Sequence, residues 1–169
     1  MNTGQSLFSI GALLLLSLTV LRVNNNILLT DEVLYDSKFG IIANSIATSI
    51  IEKATTKFFD ANTATGPVAS PNDLTINLGP NSGETNPDNF NDFDDFNTYA
   101  NQDTFFTNLV FDYRCEVCYV NSSNLDIPAP SPTWHKKLTV FVTWRQNGEL
   151  TGVAADTIKQ SVIYSYWYF

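Results

Sequence analysis

Basic residues are scarce in this sequence: nine Lys and Arg stand against 17 Asp and Glu in 169 residues, a formal net charge of −8. Proteins that bind nucleic acid need clustered Lys and Arg, so that function class is excluded as the leading interpretation. Charged residues of both signs make up 15% of the chain, below the roughly 25% of an ordinary soluble domain. Hydrophobic residues at 44% nevertheless exclude disorder along the whole chain, and the length favours one domain.

Cysteine and histidine, which build most metal and redox sites, are nearly absent. The two cysteines form a Cys115-x-x-Cys118 pair without a second pair, and His135 is the sole histidine. An offset of three within a strand pattern places the two sulfur atoms on opposite faces. A zinc site, a redox pair and an intrachain disulfide are therefore disfavoured, and we expect Cys115 to be a buried small hydrophobic residue.

No arrangement of nucleophile, base and acid points to catalysis, so we expect the protein not to be an enzyme. His135 lies next to Trp134, Lys136 and Lys137, without a carboxylate or nucleophile at a fixed spacing. We interpret the two lysines as strand-edge residues, whose charge discourages pairing with another chain.

Proline is absent from the first 60 residues, and one long helix is their simplest interpretation. Residues 1–23 include an apolar stretch, residues 7–23, that is about 25 Å long as a helix. A secretory signal peptide is disfavoured because residues 1–6 carry no Lys or Arg and no A-x-A site follows. We expect the stretch to lie in a membrane or against copies of itself. Its contact residues would be Leu7, Phe8, Ile10, Leu13, Leu14, Leu15, Leu16, Leu18, Val20 and Leu21.

Residues 24–60 continue the helix in amphipathic form, because apolar residues recur there every three or four positions. The sequence shows no signal for a restart of the helix. The predicted apolar stripe is Tyr35, Phe39, Ile42, Ile46, Ile50, Ala54 and Phe58, with Ala43 and Ala47 beside it.

Residues 61–103 are predicted to be a long irregular loop, since Pro, Gly, Asn and Asp are frequent in them. Residues 74–78 (LTINL) have the composition of a short strand. Eight acidic residues and no Lys or Arg fall between positions 60 and 103, so this segment carries the whole net charge.

Two interpretations of the sequence DNFNDFDDF, residues 88–96, remain open. In one, Asp92, Asp94 and Asp95 bind Ca²⁺, because hard cations prefer carboxylate oxygens. In the other, the acids form a solvated turn or short helix anchored by the Phe residues that recur every third position. Beyond this Ca²⁺ we expect no cofactor.

Residues 104–169 predict an antiparallel meander of three to four strands. Apolar residues alternate with polar ones at odd positions from 109 to 119 and at even positions from 138 to 144. Asn147-Gly148 is a strong hairpin signal, and the returning chain ends in an aromatic tail at 164–169 that we expect in the core or at a subunit contact. Packing of the sheet on the amphipathic helix would give an α+β fold. Asn121-Ser-Ser123 matches a glycosylation sequon.

The order of these segments resembles type IV pilins and the pseudopilins of type II secretion systems. In that family a peptidase cuts after a Gly, and the mature chain starts with Phe or Met and has Glu at its fifth position. Met1 would be that first residue, and Gln5 stands where the family has Glu. Gln5 accepts a hydrogen bond but has no charge to offer a neighbouring subunit's terminal amine. Cleavage after Gly4 is the alternative.

The resemblance implies a pilin-like fold and a structural function: subunits polymerise through the N-terminal helix into an extracellular filament at the cell surface. Partners would be copies of the chain and the inner-membrane assembly machinery, with the chain in the inner membrane before assembly. One alternative is a minor pilin or pseudopilin that acts in pilus assembly or secretion. From a different class comes a single-pass, membrane-anchored extracellular binding module that never polymerises.

Overall fold

The computed structural model describes residues 3–106, 109–146, 149–150 and 157–167. In these residues one α-helix, α1 (Thr3–Thr55), precedes six strands, so the coarse expectation of an α+β chain is confirmed. The strands are β1 (Ala100–Phe106), β2 (Leu109–Asn121), β3 (Asn124–Pro128), β4 (His135–Gln146), β5 (Glu149–Leu150) and β6 (Thr157–Ser165).

The chain divides into two compact units, residues 1–39 and residues 40–169. The first unit is helical from Thr3 onward, and the helix continues through Asn24-Asn25-Asn26, three residues of low helix propensity. Its large apolar side chains between Leu7 and Tyr35 are 52–82% exposed. The helix runs on into the second unit and ends at Thr55, five residues before the predicted boundary.

In the second unit, α1 buries a face of small residues. Ala43, Ala47 and Ala54 are fully buried, together with Ile46, and small side chains permit close approach of the sheet. Gln160 on β6 joins the two elements, because its amide donates to Asn44 Oδ1 (2.6 Å) and its Oε1 accepts from the Thr48 hydroxyl (3.3 Å).

The prediction of the apolar stripe was wrong at its two end residues, because Tyr35 and Phe58 are exposed. At the second end the helix has already stopped. The N–H of Lys57 donates to the carbonyl of Ala54 (3.1 Å) in a tighter turn. The chain then leaves the helical path, and Phe59 is buried instead of Phe58.

The sheet has the strand order β1-β2-β4, with β6 on the other side of β4. The short strands β3 and β5 pair with the ends of β2 and β4, respectively. All pairings are antiparallel, and β2 lies against β4 from Leu109↔Gln146 to Tyr119↔Lys136. The predicted alternation is confirmed: odd positions 109–119 and even positions 138–144 are buried. The first strand begins at Ala100 rather than at 104. Asn147-Gly148 and the last two residues lie outside the described residues.

The segment between α1 and β1 is part of the core. Phe90, Phe93 and Phe96 are at most 3% exposed, and the rings of Phe90 and Phe96 meet edge to face at 5.0 Å. Single-turn 3-10 helices lie at Ala61–Thr63, Pro71–Asp73 and Asp94–Phe96. The strand predicted at 74–78 is absent, since the Leu74 N–H closes the 3-10 turn on the carbonyl of Pro71 (3.1 Å).

We predict that Phe93→Ala lowers the free energy of unfolding by about 3–5 kcal/mol, because it leaves a cavity at a fully buried site. The control is Phe58→Ala, where the ring is 55% exposed and the expected change is within about 0.5 kcal/mol. Thermal unfolding of the full chain in detergent, followed by near-ultraviolet circular dichroism, measures both. Equal effects would contradict a core built on this segment.

Candidate functional site

The ten apolar residues predicted for membrane or filament contact all lie on α1 and are exposed. Among the described residues, α1 is the one helix with the length and composition to cross a membrane. Membrane anchors and signal sequences both have an apolar helix of this kind. Of the two proposed registration residues, Gln5 lies in the first turns of α1 and Met1 is outside the described residues.

Lys136 is fully buried, and the interpretation of it as a strand-edge residue was wrong. It lies on β4, which is flanked by β2 and β6. A residue at position 136 faces the same side of the strand as Leu138, Val140 and Val142. That parity is visible in the sequence and is the signal that could have indicated burial of Lys136. Lys137 has the opposite parity and pairs at 3.1 Å with the exposed Asp126.

The ammonium group of Lys136 has three oxygen partners inside the protein. Its Nζ donates to the carbonyl oxygen of Phe59 and to Asp60 Oδ2, both at 2.8 Å, and to Asp94 Oδ1. The rings of Phe59 and Tyr119 lie 4.7 and 5.3 Å from Nζ, within cation–π range. The charge is therefore paired and enclosed by aromatic rings.

Asp60 is the most fully hydrogen-bonded carboxylate of this group. Its oxygens accept from the N–H groups of Asn62 (3.1 Å) and Thr75 (3.0 Å) and from the Thr75 hydroxyl (3.0 Å). Burial alone would raise the pKa of Asp60. The hydrogen bond and charge of Lys136, with the two N–H donors, outweigh burial and lower that pKa below its ordinary value. Asp60 therefore stays ionised.

Asp92, Asp94 and Asp95 are at most 1% exposed, so the expectation that these acids are solvated was wrong. The short helix and the anchoring by Phe90, Phe93 and Phe96 in the same interpretation are confirmed. A bridge between Phe58 and Asp92 brings the three acids to the end of α1, and the Phe93 N–H donates to the carbonyl of Phe58 at 2.8 Å. Within the turn, Asp92 Oδ1 accepts from the Asp94 N–H (3.0 Å).

Two of these acids hold protons more tightly than usual. Burial, with the charges of Asp94 and Asp95, raises the pKa of Asp92 to about 8. Burial also raises the pKa of Asp95, although its Oδ2 accepts from the N–H groups of Asn91 (2.9 Å) and Asp92 (3.1 Å). Its Oδ1 is buried without a hydrogen-bond partner. At neutral pH one buried ammonium therefore faces a mixture of charged and neutral carboxyl groups.

The Ca²⁺ hypothesis for Asp92, Asp94 and Asp95 stays a prediction. In the part of the chain that the structure describes, no group of three or more His, Cys, Asp or Glu side chains could hold a metal ion. The cation that the structure places on Asp94 is the ammonium of Lys136. These roles were missed in the sequence because Lys136 is 42 residues from Asp94 and 76 from Asp60.

Both cysteines are free thiols, and Cys115 is buried as expected while Cys118 is half-buried. Burial raises the pKa of Cys115 to about 12, so this thiol is protonated and unreactive at neutral pH. Asn121 is exposed where β2 ends. Its glycosylation stays a prediction.

The aromatic tail packs on the same region. Tyr164 lies 5.1 Å from Phe93 and 5.8 Å from Phe59 between ring centroids, and Tyr166 stacks on Trp134 at 5.5 Å. Trp167 is 73% exposed. In comparisons with family models, with curated proteins and with solved structures, this chain has no match.

We predict that Lys136→Met destabilises the protein by about 3–5 kcal/mol, because it leaves Asp60 and Asp94 buried without their cation. The matched control is Lys137→Met, because Lys137 pairs with Asp126, whose side chain is 94% exposed, and a pair with a solvated partner is worth less than about 1 kcal/mol. Thermal unfolding of both variants measures the difference. Similar midpoints for the two would show that the buried contacts do not stabilise the fold.

We also predict that the protein is more stable at pH 5 than at pH 8. The folded state raises the pKa of Asp92 from 3.8 to about 8, so its proton stabilises the fold at low pH. That contribution is lost as the pH rises through this window, by up to about 1.4 kcal/mol per pH unit. The raised pKa of Asp95 acts in the same direction. The lowered pKa of Asp60 has the opposite effect, because its contribution to stability is lost as the pH falls through that pKa.

Asp92→Asn should make the dependence on pH shallower, since an amide does not titrate there and still accepts from the Asp94 N–H. Unfolding midpoints of wild type and variant between pH 5 and 8 test this. An unchanged slope in the variant would assign the effect to another group.

Proposed function

We propose that this chain is the structural subunit of an extracellular, type IV pilus-like filament and polymerises through α1. The observation that carries the proposal is the exposed apolar surface of α1 between Leu7 and Tyr35. A protein in water does not leave such a surface uncovered. Its cover must be lipid or other copies of the helix.

The length of this surface favours other copies over lipid alone. Residues 7–35 extend over about 43 Å of helix, whereas the hydrocarbon core of a bilayer is about 30 Å thick. Arg22, Asp31 and the asparagines at 24–26 mark where the lipid-compatible part ends, because a charge inside the bilayer is costly. Beyond that point Ile27, Leu28, Leu29, Val33 and Leu34 remain exposed.

The spacing of the exposed residues also suits helix–helix contact. Steps of three and four residues connect Leu13, Leu16, Val20, Val23, Ile27, Thr30 and Leu34. Residues spaced in this way share one face of a helix and form the seam of helix bundles. The seam crosses the boundary at position 23 without interruption, so one surface can serve the whole assembled helix.

The proposal places the chain in the inner membrane before assembly and at the cell surface afterwards, with the assembly machinery of the pilin family as a partner. Gly11 and the small residues Ser9, Ala12 and Ser17 permit close helix approach in lipid. A minor pilin would use the same contacts in fewer copies. A membrane-anchored binding module needs only residues 7–23 in lipid and leaves the seam beyond them without a partner.

We predict that Leu14→Lys abolishes filaments of this chain. A lysine at the filament axis would be buried without a counter-charge. Surface material is sheared from cells that express the wild type or the variant. It is then viewed by negative-stain microscopy with an antibody against residues 40–169. Leu14→Met, which keeps an apolar side chain of similar volume, should assemble normally.

Three outcomes are distinguishable. Labelled filaments from wild type and Leu14→Met but not from Leu14→Lys support the proposal. Filaments from Leu14→Lys would show that the axial contact is wrong. Wild-type chain that is found in the membrane fraction and forms no filaments would favour the anchored binding module.

A further inference from the structure

We propose that Lys136 and Asp94 condense to an intramolecular isopeptide bond, which joins the central strand β4 to the segment before β1. The proposal stands on the buried cluster in residues 40–169 and does not depend on the filament function. Among the ion pairs of the described residues, Lys136 is the buried amine, and its two carboxyl partners, Asp60 and Asp94, are buried with it.

The two reacting groups are already in contact. Lys136 Nζ lies directly on Asp94 Oδ1, and both side chains are at most 2% exposed. Lys136 is fixed by strand pairing on both sides of β4, and Asp94 by the 3-10 helix Asp94–Phe96. Holding two reactants in such proximity replaces a bimolecular encounter and removes much of its entropic barrier.

Asp94 is a better electrophile than Asp60, the other carboxyl group on Nζ. Asp60 accepts hydrogen bonds from Asn62 and twice from Thr75, which stabilise it as a carboxylate. A carboxylate stabilised in this way resists nucleophilic attack, and its lowered pKa makes it a weak base. Asp92 lies on the same turn as Asp94, and its Oδ1 accepts from the Asp94 N–H at 3.0 Å. The raised pKa of Asp92 keeps it protonated at neutral pH, so it can donate a hydrogen bond to the Asp94 carboxyl group as the amine attacks.

The proposed step is a balanced condensation. The Lys136 ammonium gives one proton to the Asp94 carboxylate, which leaves a neutral amine and a carboxylic acid. The lone pair of the amine forms the N–C bond at Cγ of Asp94. The second amine proton passes to the hydroxyl oxygen with Asp60 as a relay, the Cγ–O bond breaks with its electron pair, and the oxygen leaves as water. The sum is one ammonium and one carboxylate converted to one amide and one water, without an oxidant.

Burial favours the product over the ion pair. Two opposite charges in an apolar interior carry a large desolvation cost, whereas an amide is neutral and needs only hydrogen-bond partners. Asp92 can donate to the new carbonyl oxygen. Asp60 Oδ2 and the carbonyl of Phe59 can accept from the remaining N–H. The bond would act as a cross-link in a protein whose two described cysteines are free.

The test is the intact mass of the purified full-length chain under denaturing conditions. We expect a mass lower than that of the linear chain by one water molecule. Trypsin should leave the bond after Lys136 uncut, because the modified side chain is no longer a substrate. A branched peptide is then expected, in which residues 58–114 are joined to residues 115–137.

Variants assign the bond to this pair. Lys136→Met and Asp94→Ala should restore the full linear mass, and Asp94→Asn should form the same cross-link with loss of ammonia instead of water. Lys137→Met, the neighbouring lysine on the other face, should still lose one water. Asp92→Asn should slow the appearance of the cross-linked form in freshly made protein.

The wild-type protein decides the proposal even if a variant fails to fold. A full linear mass, with separate tryptic peptides 58–114 and 115–136, would overturn it. Loss of water that maps to any single peptide, rather than to the branched pair, would overturn it as well.

Discussion

The burial of one ammonium group constrains most of residues 40–169. Lys136 lies on the central strand, and its charge must be met by oxygen atoms because water does not reach it. Asp60 comes from the turn after α1, and Asp94 from the segment before β1. These two contacts therefore join the turn after α1 and the segment before β1 to the same residue of β4. Phe59 and Tyr119 complete the enclosure.

Periodicity predicted the regular elements well, because local spacing decides which face of a strand or helix is buried. Leu109 to Tyr119 on β2 and Leu138 to Trp144 on β4 followed their parity. The same rule places Lys136 in the core, although charged residues are usually exposed. Asp92, Asp94 and Asp95 are buried against the same expectation. Asp94 is buried with Lys136, a partner distant in the sequence that composition does not reveal. The stop of α1 at Thr55 also depends on tertiary contacts.

The two halves of helix α1 differ in the size and the exposure of their apolar side chains. Toward Thr55 its buried side chains are mostly alanines, which suit a helix that lies close against a sheet of the same chain. Toward Thr3 its leucines and isoleucines are exposed and the small residues are scattered among them. The apolar face of the half toward Thr55 is therefore covered within one chain, whereas the apolar surface of the half toward Thr3 is uncovered in a monomer. This division agrees with the proposed assembly, in which folding and polymerisation use separate surfaces.

The buried acids also change how the protein behaves as a polyelectrolyte. The sequence gives a pI of about 4.3 on the assumption that every carboxyl group titrates in water. Asp92 and Asp95 bind protons more tightly when folded, and Asp60 and Asp94 share the charge of Lys136. The native protein therefore presents fewer negative charges to its surroundings than its composition implies. Unfolding at neutral pH releases protons to the buffer, and the enthalpy measured by calorimetry includes the ionisation heat of that buffer.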